Sequence, residues 1–311
     1  YRGTFAYARY PRIPGHEFSA QIVEIEENDR GLKPGMIVTC NPYFNCQKCY
    51  SCERGLVNCC ESNETMGAQR DGAFSEYITM PIERIYDGMG LNPRQLALIE
   101  PFCISYHGVS RADIKKGDKV LVIGAGTIGV LAAVAAKAKG GEVYIADIAE
   151  EKLQYAYKTF GLAGTIKNDS EESLKNSVSQ ITGEHHGFDV CIEAVGLPST
   201  FQNCIDAAAY GGRIVLIGVG KKNLDFNFTL IQKKELSIFG SRNALKADFK
   251  ELIELVKCGE IDLEKIVMNK GCADAAKRSE YELEEAAAAF EEFHQYGGSK
   301  LKVLIHFSDP S

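Results

Sequence analysis

The stretch VLVIGAGTIG, residues 120–129, decides the fold of this chain. Its β-branched first half predicts a buried strand ending near Gly124, and the Ala-rich sequence from Thr127 onward predicts a helix. Gly126 and Gly129 complete a G-x-G-x-x-G pattern between that strand and that helix. In this context the three glycines permit a tight turn, close approach of a pyrophosphate and close packing of the helix against the strand. The stretch therefore predicts a dinucleotide site at the start of the helix.

The next predicted strand ends in a carboxylate at the position where such a fold binds ribose. This strand covers Glu142–Asp147, and Asp147 lies eighteen residues after Gly129. A carboxylate there accepts both ribose hydroxyls and repels a 2′-phosphate, so NAD is favoured over NADP. Lys152, one helical turn further on, can add a ribose contact, and Val219 ends a later predicted strand. The candidate cofactor-binding residues are Gly124, Gly126, Thr127, Ile128, Gly129, Asp147, Lys152 and Val219.

Strands and helices alternate over residues 105–243, which predicts parallel βαβ units. Residues 1–104 are rich in Gly, Pro and Cys and predict an irregular β-rich domain, to which residues 244–311 are expected to return. The predicted fold class is therefore α/β, with a doubly wound parallel sheet and a second, β-rich domain. The predicted strands are Gln21–Ile25, Met36–Cys40, Lys119–Gly124, Glu142–Asp147, Asp189–Glu193, Arg213–Val219, Leu236–Gly240 and Lys302–Phe307. The predicted helices are Thr127–Lys139, Glu150–Phe160, Glu171–Thr182, Ser199–Ala209, Ala247–Cys258 and Leu283–His294.

Composition and charge argue against several classes of protein. The chain has 311 residues, and its formal charge of −7 argues against a nucleic-acid partner. An apolar run over residues 120–136 is interrupted by three glycines, which argues against a membrane span. Seven of the eleven cysteines lie between Cys40 and Cys103, a clustering that indicates metal binding in a reducing compartment. Residues 1–10 lack the apolar core of a signal peptide, so a cytoplasmic protein is expected.

The stretch NCQKCYSCERGLVNCC, residues 45–60, is a dense group of thiols. Its spacing C-x2-C-x2-C is followed by two adjacent cysteines, Cys59 and Cys60. Four thiolates hold Zn²⁺ tetrahedrally in loops of this kind, and such a closed site leaves no position for a substrate. An iron–sulfur cluster is the alternative, although the usual C-x3-C-P continuation is missing. Spacing alone leaves Cys59 and Cys60 equally plausible as the fourth ligand.

Two shorter motifs carry the donor types of a second metal site. Gly15-His16-Glu17 places an imidazole beside a carboxylate. Ile99-Glu100-Pro101 places a lone carboxylate in an apolar setting. Histidine and carboxylate ligands are typical of catalytic zinc sites, which keep one position open. Taken alone, however, each motif is more typical of a solvated loop than of a shared site.

The motifs of this chain occur in a specific order. They are YRG…YPRIPGHE (1–17), the cysteine loop (46–60), DGAFSEY (71–77), IEP (99–101), VLVIGAGTIG (120–129) and KKELSIFGSRNA (233–244). Together they resemble the zinc-dependent medium-chain dehydrogenases over nearly the whole chain. Within that family the sequence is most similar to the branch of sorbitol, threonine and L-galactonate-type dehydrogenases. The resemblance implies a GroES-like catalytic domain over residues 1–104, a Rossmann domain that binds NAD over 105–243, and a return to the catalytic domain over 244–311.

The resemblance also implies a structural zinc in the cysteine loop. In the family, the fourth thiolate lies five residues after a glycine. That glycine is Gly55 here, so Cys60 is implied as the fourth ligand and Cys59 is not. The implied structural zinc ligands are Cys46, Cys49, Cys52 and Cys60.

A catalytic zinc is implied at the GHE and IEP motifs. His16, Glu17 and Glu100 match the family's histidine and carboxylates, and the sequence does not rank the two carboxylates as ligands. Arg242 matches a position near the nicotinamide. A cysteine ligand from a G-x-C-G-[ST]-D segment would precede Tyr1, so the N-terminal part of this domain is expected to lie outside the given residues.

The expected activity is oxidation of a secondary alcohol. Zn²⁺ would lower the pKa of the substrate hydroxyl, and the carbinol carbon would give a hydride to NAD. The family branch implies a polyol or sugar-acid substrate and a homodimer or homotetramer, with a threonine-type dehydrogenase as the alternative. A non-catalytic NAD-binding protein of the same fold and a thiol redox sensor at Cys59 are further hypotheses. Segment 269–280 is longer than the corresponding family link, and the sequence suggests no function for it.

Overall fold

The structure, a computed structural model, describes residues 8, 10–220, 222–267, 278–296 and 301–307. Most of segment 269–280 therefore lies outside the described residues. The chain forms two compact units. Unit 1 comprises Tyr1–Cys103 and Asn243–Ser311, and unit 2 comprises Ile104–Arg242.

The described residues contain thirteen strands and ten α-helices. The strands are β1 Ser19–Gln21, β2 Ile37–Cys40, β3 Tyr43–Phe44, β4 Glu64–Thr65, β5 Ile85–Asp87, β6 Lys119–Ile123, β7 Glu142–Asp147, β8 Gly164–Lys167, β9 Phe188–Glu193, β10 Ala208–Leu216, β11 Ser237–Gly240, β12 Glu280–Glu282 and β13 Leu304–His306. The helices are α1 Tyr50–Glu53, α2 Pro93–Ala97, α3 Ile99–Arg111, α4 Thr127–Ala138, α5 Glu150–Phe160, α6 Glu171–Thr182, α7 Pro198–Ala207, α8 Thr229–Lys233, α9 Lys246–Lys257 and α10 Ala286–Tyr296. None of these helices has both the length and the apolar character needed to cross a bilayer.

Unit 2 is built on a six-stranded sheet in the order β11-β10-β9-β6-β7-β8, with every neighbouring pair parallel. Helices α4, α5, α6 and α7 each connect one strand to the next, because a parallel pair needs a crossover connection. The chain adds strands outward from β6 in one direction and then outward from β9 in the other. This arrangement confirms the predicted α/β fold class. Such folds bind their ligands at the carboxyl ends of the strands, where the order reverses, which here is between β6 and β9.

Apolar side chains cover both faces of this sheet. Val120, Leu121 and Val122 of the central strand β6 are fully buried. Their uninterrupted apolar run is what a strand needs when helices pack against both faces. At β9, the ring of Phe188 packs edge-on against Tyr144, with the centroids 5.6 Å apart. Each fully buried side chain of this size contributes about 1.5–3 kcal/mol to folding.

The described residues of unit 1 form three small sheets. These are an antiparallel sheet β1-β2-β5, an antiparallel pair β3-β4 and a parallel pair β12-β13. Side chains join the two chain segments of this unit. Arg94 donates to both carboxylate oxygens of Glu280, at 2.7 and 2.9 Å. The rings of Tyr86 and Phe249 stack with their centroids 4.9 Å apart.

Several elements differ from the sequence prediction. Helix α3 is not predicted because it contains Pro101 and Gly108, two weak helix residues. Pro101 lies in the first turn, where its missing N–H removes no helical bond. A Cβ at Gly108 would lie 2.5 Å from Cδ1 of Ile217, so that side chain would have to shift. The strand predicted over Gln21–Ile25 lies at β1 instead, and strand β8 is not predicted at all.

Candidate metal centres and cofactor site

The first candidate centre is a group of four cysteines in unit 1. Their Sγ atoms all lie within 4.8 Å of one another, and the four are Cys46, Cys49, Cys52 and Cys60. Helix α1 and the turn after it bring them together. Cys49 is the N-cap of α1, Cys52 lies within α1, and Cys60 directly follows the short turn Val57–Cys59. Cys59 does not belong to this group of thiols.

Backbone N–H groups surround these sulfur atoms. The backbone N–H of Cys46 donates to Sγ of Cys60 at 3.2 Å. Backbone N–H groups of Glu61 and Cys52 lower the pKa of Cys49 to about 6, which favours the thiolate form that binds metal. Burial raises the pKa of Cys60 to about 11. Four converging thiols match the tetrahedral donor set of a closed structural zinc site.

The second candidate centre brings the GHE and IEP motifs together. One donor atom each from His16, Glu17 and Glu100 lies within 4.8 Å of the other two. Glu100 lies in the first turn of α3 and is only 2% exposed. One imidazole nitrogen and two carboxylates are the donor types of a catalytic metal, whereas the first centre offers only sulfur.

The DGAF sequence fixes the loop that carries the histidine. The backbone N–H groups of Gly72, Ala73 and Phe74 donate to carbonyls of residues 13–15 at 2.8–3.0 Å. At Gly72, a Cβ would lie 2.3 Å from the carbonyl oxygens of Pro14 and Gly15. DGAF is visible in the sequence as a family motif, and its contacts with the GHE loop appear only in the structure.

Two further side chains join this centre, and neither is predicted from the sequence. Tyr43 donates its hydroxyl hydrogen to Oε1 of Glu100. Lys302 donates to Oε2 of Glu17. Tyr43 is 57 residues from its partner and Lys302 is 285 residues from its own, and neither side chain belongs to a recognisable motif.

The electrostatics of this centre favour a cation. Burial raises the pKa of Glu100, and the nearby Glu17 carboxylate raises it further. Burial alone would also raise the pKa of Glu17, but Lys302 and His16 bring that pKa below its ordinary value. Two carboxylates at such close range repel one another, and Glu100 is buried while Glu17 is 30% exposed. A divalent cation between them relieves that cost. The donor set therefore fits a metal ion.

In unit 2, the glycine-rich turn has the shape that a pyrophosphate requires. Gly124 has φ +110°, and a Cβ at Gly129 would lie 1.8 Å from the carbonyl oxygen of Gly124. Gly126 is the N-cap of α4, and a Cβ there would meet nothing within 4 Å. The helix then begins with Thr127 and Ile128. A helix N-terminus that is left open in this way favours the binding of a phosphate.

The carboxylate predicted to bind ribose lies beside this turn. Asp147 ends β7, and its Oδ2 accepts a hydrogen bond from the N–H of Ala125 at 2.6 Å. Lys152 lies in the first turn of α5. Val219 follows β10 and is 65% exposed. The structure therefore places Asp147 in direct contact with the glycine-rich turn, and places Lys152 one helical turn beyond it.

Arg242 is exposed and lies two residues after β11. The next residue, Asn243, donates to the carbonyl oxygen of Asn58 at 3.3 Å. The contacts described for the two metal centres and the glycine-rich turn do not include Arg242.

Comparison with known proteins places this architecture in a family. Residues 1–88 match the alcohol dehydrogenase GroES-like domain, and residues 127–257 match the zinc-binding dehydrogenase domain. The chain is 36% identical over 268 residues to an L-galactonate-5-dehydrogenase from Escherichia coli K12, which covers 86% of this chain and 78% of the relative. It is 31% identical over 309 residues to a sorbitol dehydrogenase from Halalkalibacterium halodurans, covering 98% of this chain and 86% of that one.

A solved structure shows the same fold. It is a short chain alcohol dehydrogenase from Escherichia coli CFT073 complexed with NADH, with a TM-score of 0.85, 29% identity and coverage of 96% of this chain and 85% of that one. The chain therefore belongs to the zinc-binding dehydrogenases of the medium-chain alcohol dehydrogenase family. The predicted family and fold class are confirmed. The predicted cofactors, Zn²⁺ and NAD, agree with this zinc-binding family and with the NADH-bound structure.

Proposed function

We propose that this protein is a zinc-dependent dehydrogenase that oxidises a secondary alcohol of a polyol or sugar acid with NAD. The observation that carries the proposal is the convergence of His16, Glu17 and Glu100 within 4.8 Å, in a chain that also carries a dinucleotide-binding turn. The similarity to an L-galactonate and a sorbitol dehydrogenase supports the substrate class.

The residues of the second centre have separate roles in this proposal. When bound, Zn²⁺ supplies a Lewis acid that favours loss of the alcohol proton, and NAD accepts the hydride. His16 would hold the metal through an imidazole nitrogen. Lys302 holds Oε2 of Glu17, and Tyr43 holds Oε1 of Glu100, so one oxygen of each carboxylate is left for the metal. Donors fixed in this way keep the metal site in one geometry.

The four-cysteine centre has a structural role in the proposal. Cys46, Cys49, Cys52 and Cys60 supply four sulfur donors, which fill a tetrahedral zinc and leave no position for a substrate. A metal bound there would close a loop of unit 1 and would take no part in the reaction.

The cofactor is held by unit 2. Gly124, Gly126 and Gly129 would let the pyrophosphate reach the N-terminus of α4, which begins with Thr127 and Ile128. The other proposed contacts are Asp147 and Lys152 for the adenosine ribose, and Val219 and Arg242 towards the nicotinamide. A 2′-phosphate would meet the Asp147 carboxylate, so we expect NAD to give a higher kcat/KM than NADP.

A threonine-type activity is the second candidate. The chain is 30% identical over 266 residues to an L-threonine 3-dehydrogenase from Pyrococcus furiosus. The two activities share the metal and cofactor chemistry and differ only in the substrate, so a single assay distinguishes them.

The test is a substrate screen with the full-length, zinc-loaded protein. Polyols, sugar acids and L-threonine are each supplied with NAD, and formation of the reduced cofactor is followed. We expect turnover with a polyol or sugar acid and its loss in His16→Ala, since that variant lacks the imidazole donor. His185→Ala is the matched control, because His185 is exposed and lies in unit 2. Failure of every secondary alcohol to react, with zinc bound at both centres, would leave a non-catalytic NAD-binding protein as the better description.

Compartment and assembly are part of the same proposal. The ten described cysteines are all free, which supports a reducing compartment such as the cytoplasm. We also propose a homodimer or homotetramer, and sedimentation of the purified protein tests its mass.

A further inference from the structure

Glu193 is a buried acidic residue at the reversal point of the unit 2 sheet. It is the last residue of β9 and is 3% exposed. β9 is the first strand added on the second side of the sheet, directly beside β6. Burying a carboxyl group is costly unless hydrogen bonds compensate, so its contacts show what it stabilises.

One oxygen of Glu193 holds the loop that follows the strand. Its Oε1 accepts hydrogen bonds from the N–H of Val195 at 2.9 Å, the N–H of Gly196 at 2.8 Å and the hydroxyl of Thr200 at 2.7 Å. Its Oε2 lies so close to Gly218 that a Cβ there would approach it to 2.4 Å. The carboxyl group therefore fixes the backbone of residues 195–196 and ties it to the start of α7.

The loop fixed in this way packs directly on the glycine-rich turn. A Cβ at Gly124 would lie 2.7 Å from Cγ2 of Val195, and the φ of +110° at this position strains any other residue. The N–H of Ala194 donates to the carbonyl oxygen of Ile123 at 3.0 Å. On its other side, Gly196 has φ +84°, and a Cβ there would lie 2.6 Å from the carbonyl oxygen of Val219. Residues 194–197, the switch loop, thus lie between the phosphate-binding turn and the end of β10.

The two sides of the sheet divide the cofactor between them. In a doubly wound fold each half binds one mononucleotide, and the dinucleotide crosses the reversal point. Asp147, the proposed contact of the adenosine ribose, lies on the β6–β8 side of the sheet. The nicotinamide half is therefore expected on the β9–β11 side. On that side, Val195 and Leu197 of the switch loop are 42% and 46% exposed. They supply apolar surface at the edge where the nicotinamide half of the cofactor binds.

We propose that Glu193 is a positioning residue for the nicotinamide half of the cofactor, acting by fixing the backbone of the switch loop without touching the cofactor itself. The assignment rests on the proposed function, because it needs a dinucleotide at this edge of the sheet. It predicts an effect on the nicotinamide half that exceeds the effect on the adenosine half.

The test compares binding of NADH with binding of ADP-ribose, which lacks the nicotinamide. In Glu193→Ala we expect NADH to bind about tenfold more weakly, because the three hydrogen bonds at Oε1 are lost, and ADP-ribose to change by less than about threefold. Glu193→Gln keeps an oxygen at the Oε1 position and should bind both ligands nearly as the wild type does. Fluorescence of the reduced nicotinamide measures the affinity for NADH, and calorimetry measures the affinity for ADP-ribose.

Asp189 provides a matched control at the opposite end of the same strand. Its Oδ2 accepts a hydrogen bond from the N–H of Lys119 at 2.8 Å, at the amino edge of the sheet. Asp189→Ala loses a comparable carboxyl–backbone bond and should lower the unfolding temperature without changing the affinity for NADH. If Glu193→Ala does not fold, Thr200→Val carries the test, since it removes one of the three donors, and we expect NADH to bind about two- to threefold more weakly.

Three results would overturn the assignment. The first is an unchanged affinity for NADH in the folded Glu193→Ala or Thr200→Val protein. The second is an equal loss of affinity for NADH and for ADP-ribose. The third is a loss of NADH affinity in Asp189→Ala as large as that in Glu193→Ala. Wild-type protein that binds neither ligand would overturn the proposed function itself, and the inference with it.

Discussion

Glu100 is the most deeply buried donor of the histidine–carboxylate centre. Its carboxylate accepts a hydrogen bond from the hydroxyl of Tyr43, and the Glu17 carboxylate lies close by. A buried carboxylate beside a second carboxylate is costly, so its orientation and its charged form depend strongly on the hydrogen bond that it accepts. We therefore expect Tyr43 to affect metal binding at this centre, although it is not among the proposed ligands.

Tyr43→Phe should weaken metal binding at this centre while the fold is retained. Phenylalanine keeps the ring and removes only the hydroxyl, so Glu100 loses its donor and its fixed orientation. We expect roughly a 10–100-fold loss of zinc affinity, the range typical for a partner of a metal ligand. Chelator titration of the purified variant, following the loss of turnover, measures the effect.

Tyr86→Phe is the control for this substitution. Tyr86 is also buried in unit 1, and its hydroxyl bonds to Asn41 instead of to a carboxylate of the metal centre. Equal zinc affinities of the two variants would show that Tyr43 has no special role at the centre.

At the residue scale, candidate residues can be recognised from sequence where the chemistry lies in a motif. His16, Glu17 and Glu100 are recognisable as donor types, and the structure places them together. Tyr43 and Lys302 are not recognisable, because an isolated tyrosine or lysine in a strand-like sequence carries no signal of the partner that it meets. Their contacts depend on the fold of unit 1 as a whole.

At the scale of elements, the GHE loop is fixed by backbone contacts with residues 71–74. Gly72 is essential to this arrangement because two carbonyl oxygens occupy the space of a Cβ. Its φ is not in the left-handed region, so any effect of alanine there comes from steric overlap and not from backbone strain.

Gly72→Ala should therefore displace the GHE loop. We expect a loss of about 1–3 kcal/mol in the free energy of unfolding, the usual cost of overpacking, together with lower turnover because His16 moves. Denaturant titration and the dehydrogenase assay measure the two effects. In Gly240→Ala, a Cβ would meet nothing within 4 Å, and its stability should stay within about 0.5 kcal/mol of the wild type. Full stability and activity in Gly72→Ala would show that the loop tolerates the displacement.

Helices and strands are predicted well where nearby residues specify them, and poorly where contacts with distant residues do. The strands and helices around the glycine-rich turn are predicted closely, because strong apolar periodicity and turn residues specify them locally. Helix α3 is missed because Pro101 and Gly108 weaken its local signal. Ile217, which packs against Gly108, lies more than a hundred residues away. Packing overrides helix propensity there.

At the scale of the whole molecule, the chain joins a large apolar sheet in unit 2 to a loop-rich unit 1 with three small sheets. Small sheets bury little apolar surface, so unit 1 needs further sources of stability. Metal binding is one such source, because the binding free energy of a structural zinc contributes directly to folding. The structural zinc proposed at the four-cysteine centre is therefore expected to stabilise unit 1.

Cys60→Ser and Cys59→Ser test this expectation as a matched pair of neighbouring residues. Cys60 belongs to the group of thiols within 4.8 Å, and Cys59 does not. We expect Cys60→Ser to bind one zinc ion fewer per chain than the wild type and to unfold at a lower temperature, because a hydroxyl is a poor substitute for a thiolate ligand. Cys59→Ser should match the wild type in both respects. Elemental analysis of the dialysed proteins gives the zinc content, and calorimetry gives the unfolding temperature.

Zinc lost from Cys59→Ser and retained in Cys60→Ser would reverse the ligand assignment. Loss of zinc without any change in unfolding would instead show that unit 1 is stable without this metal.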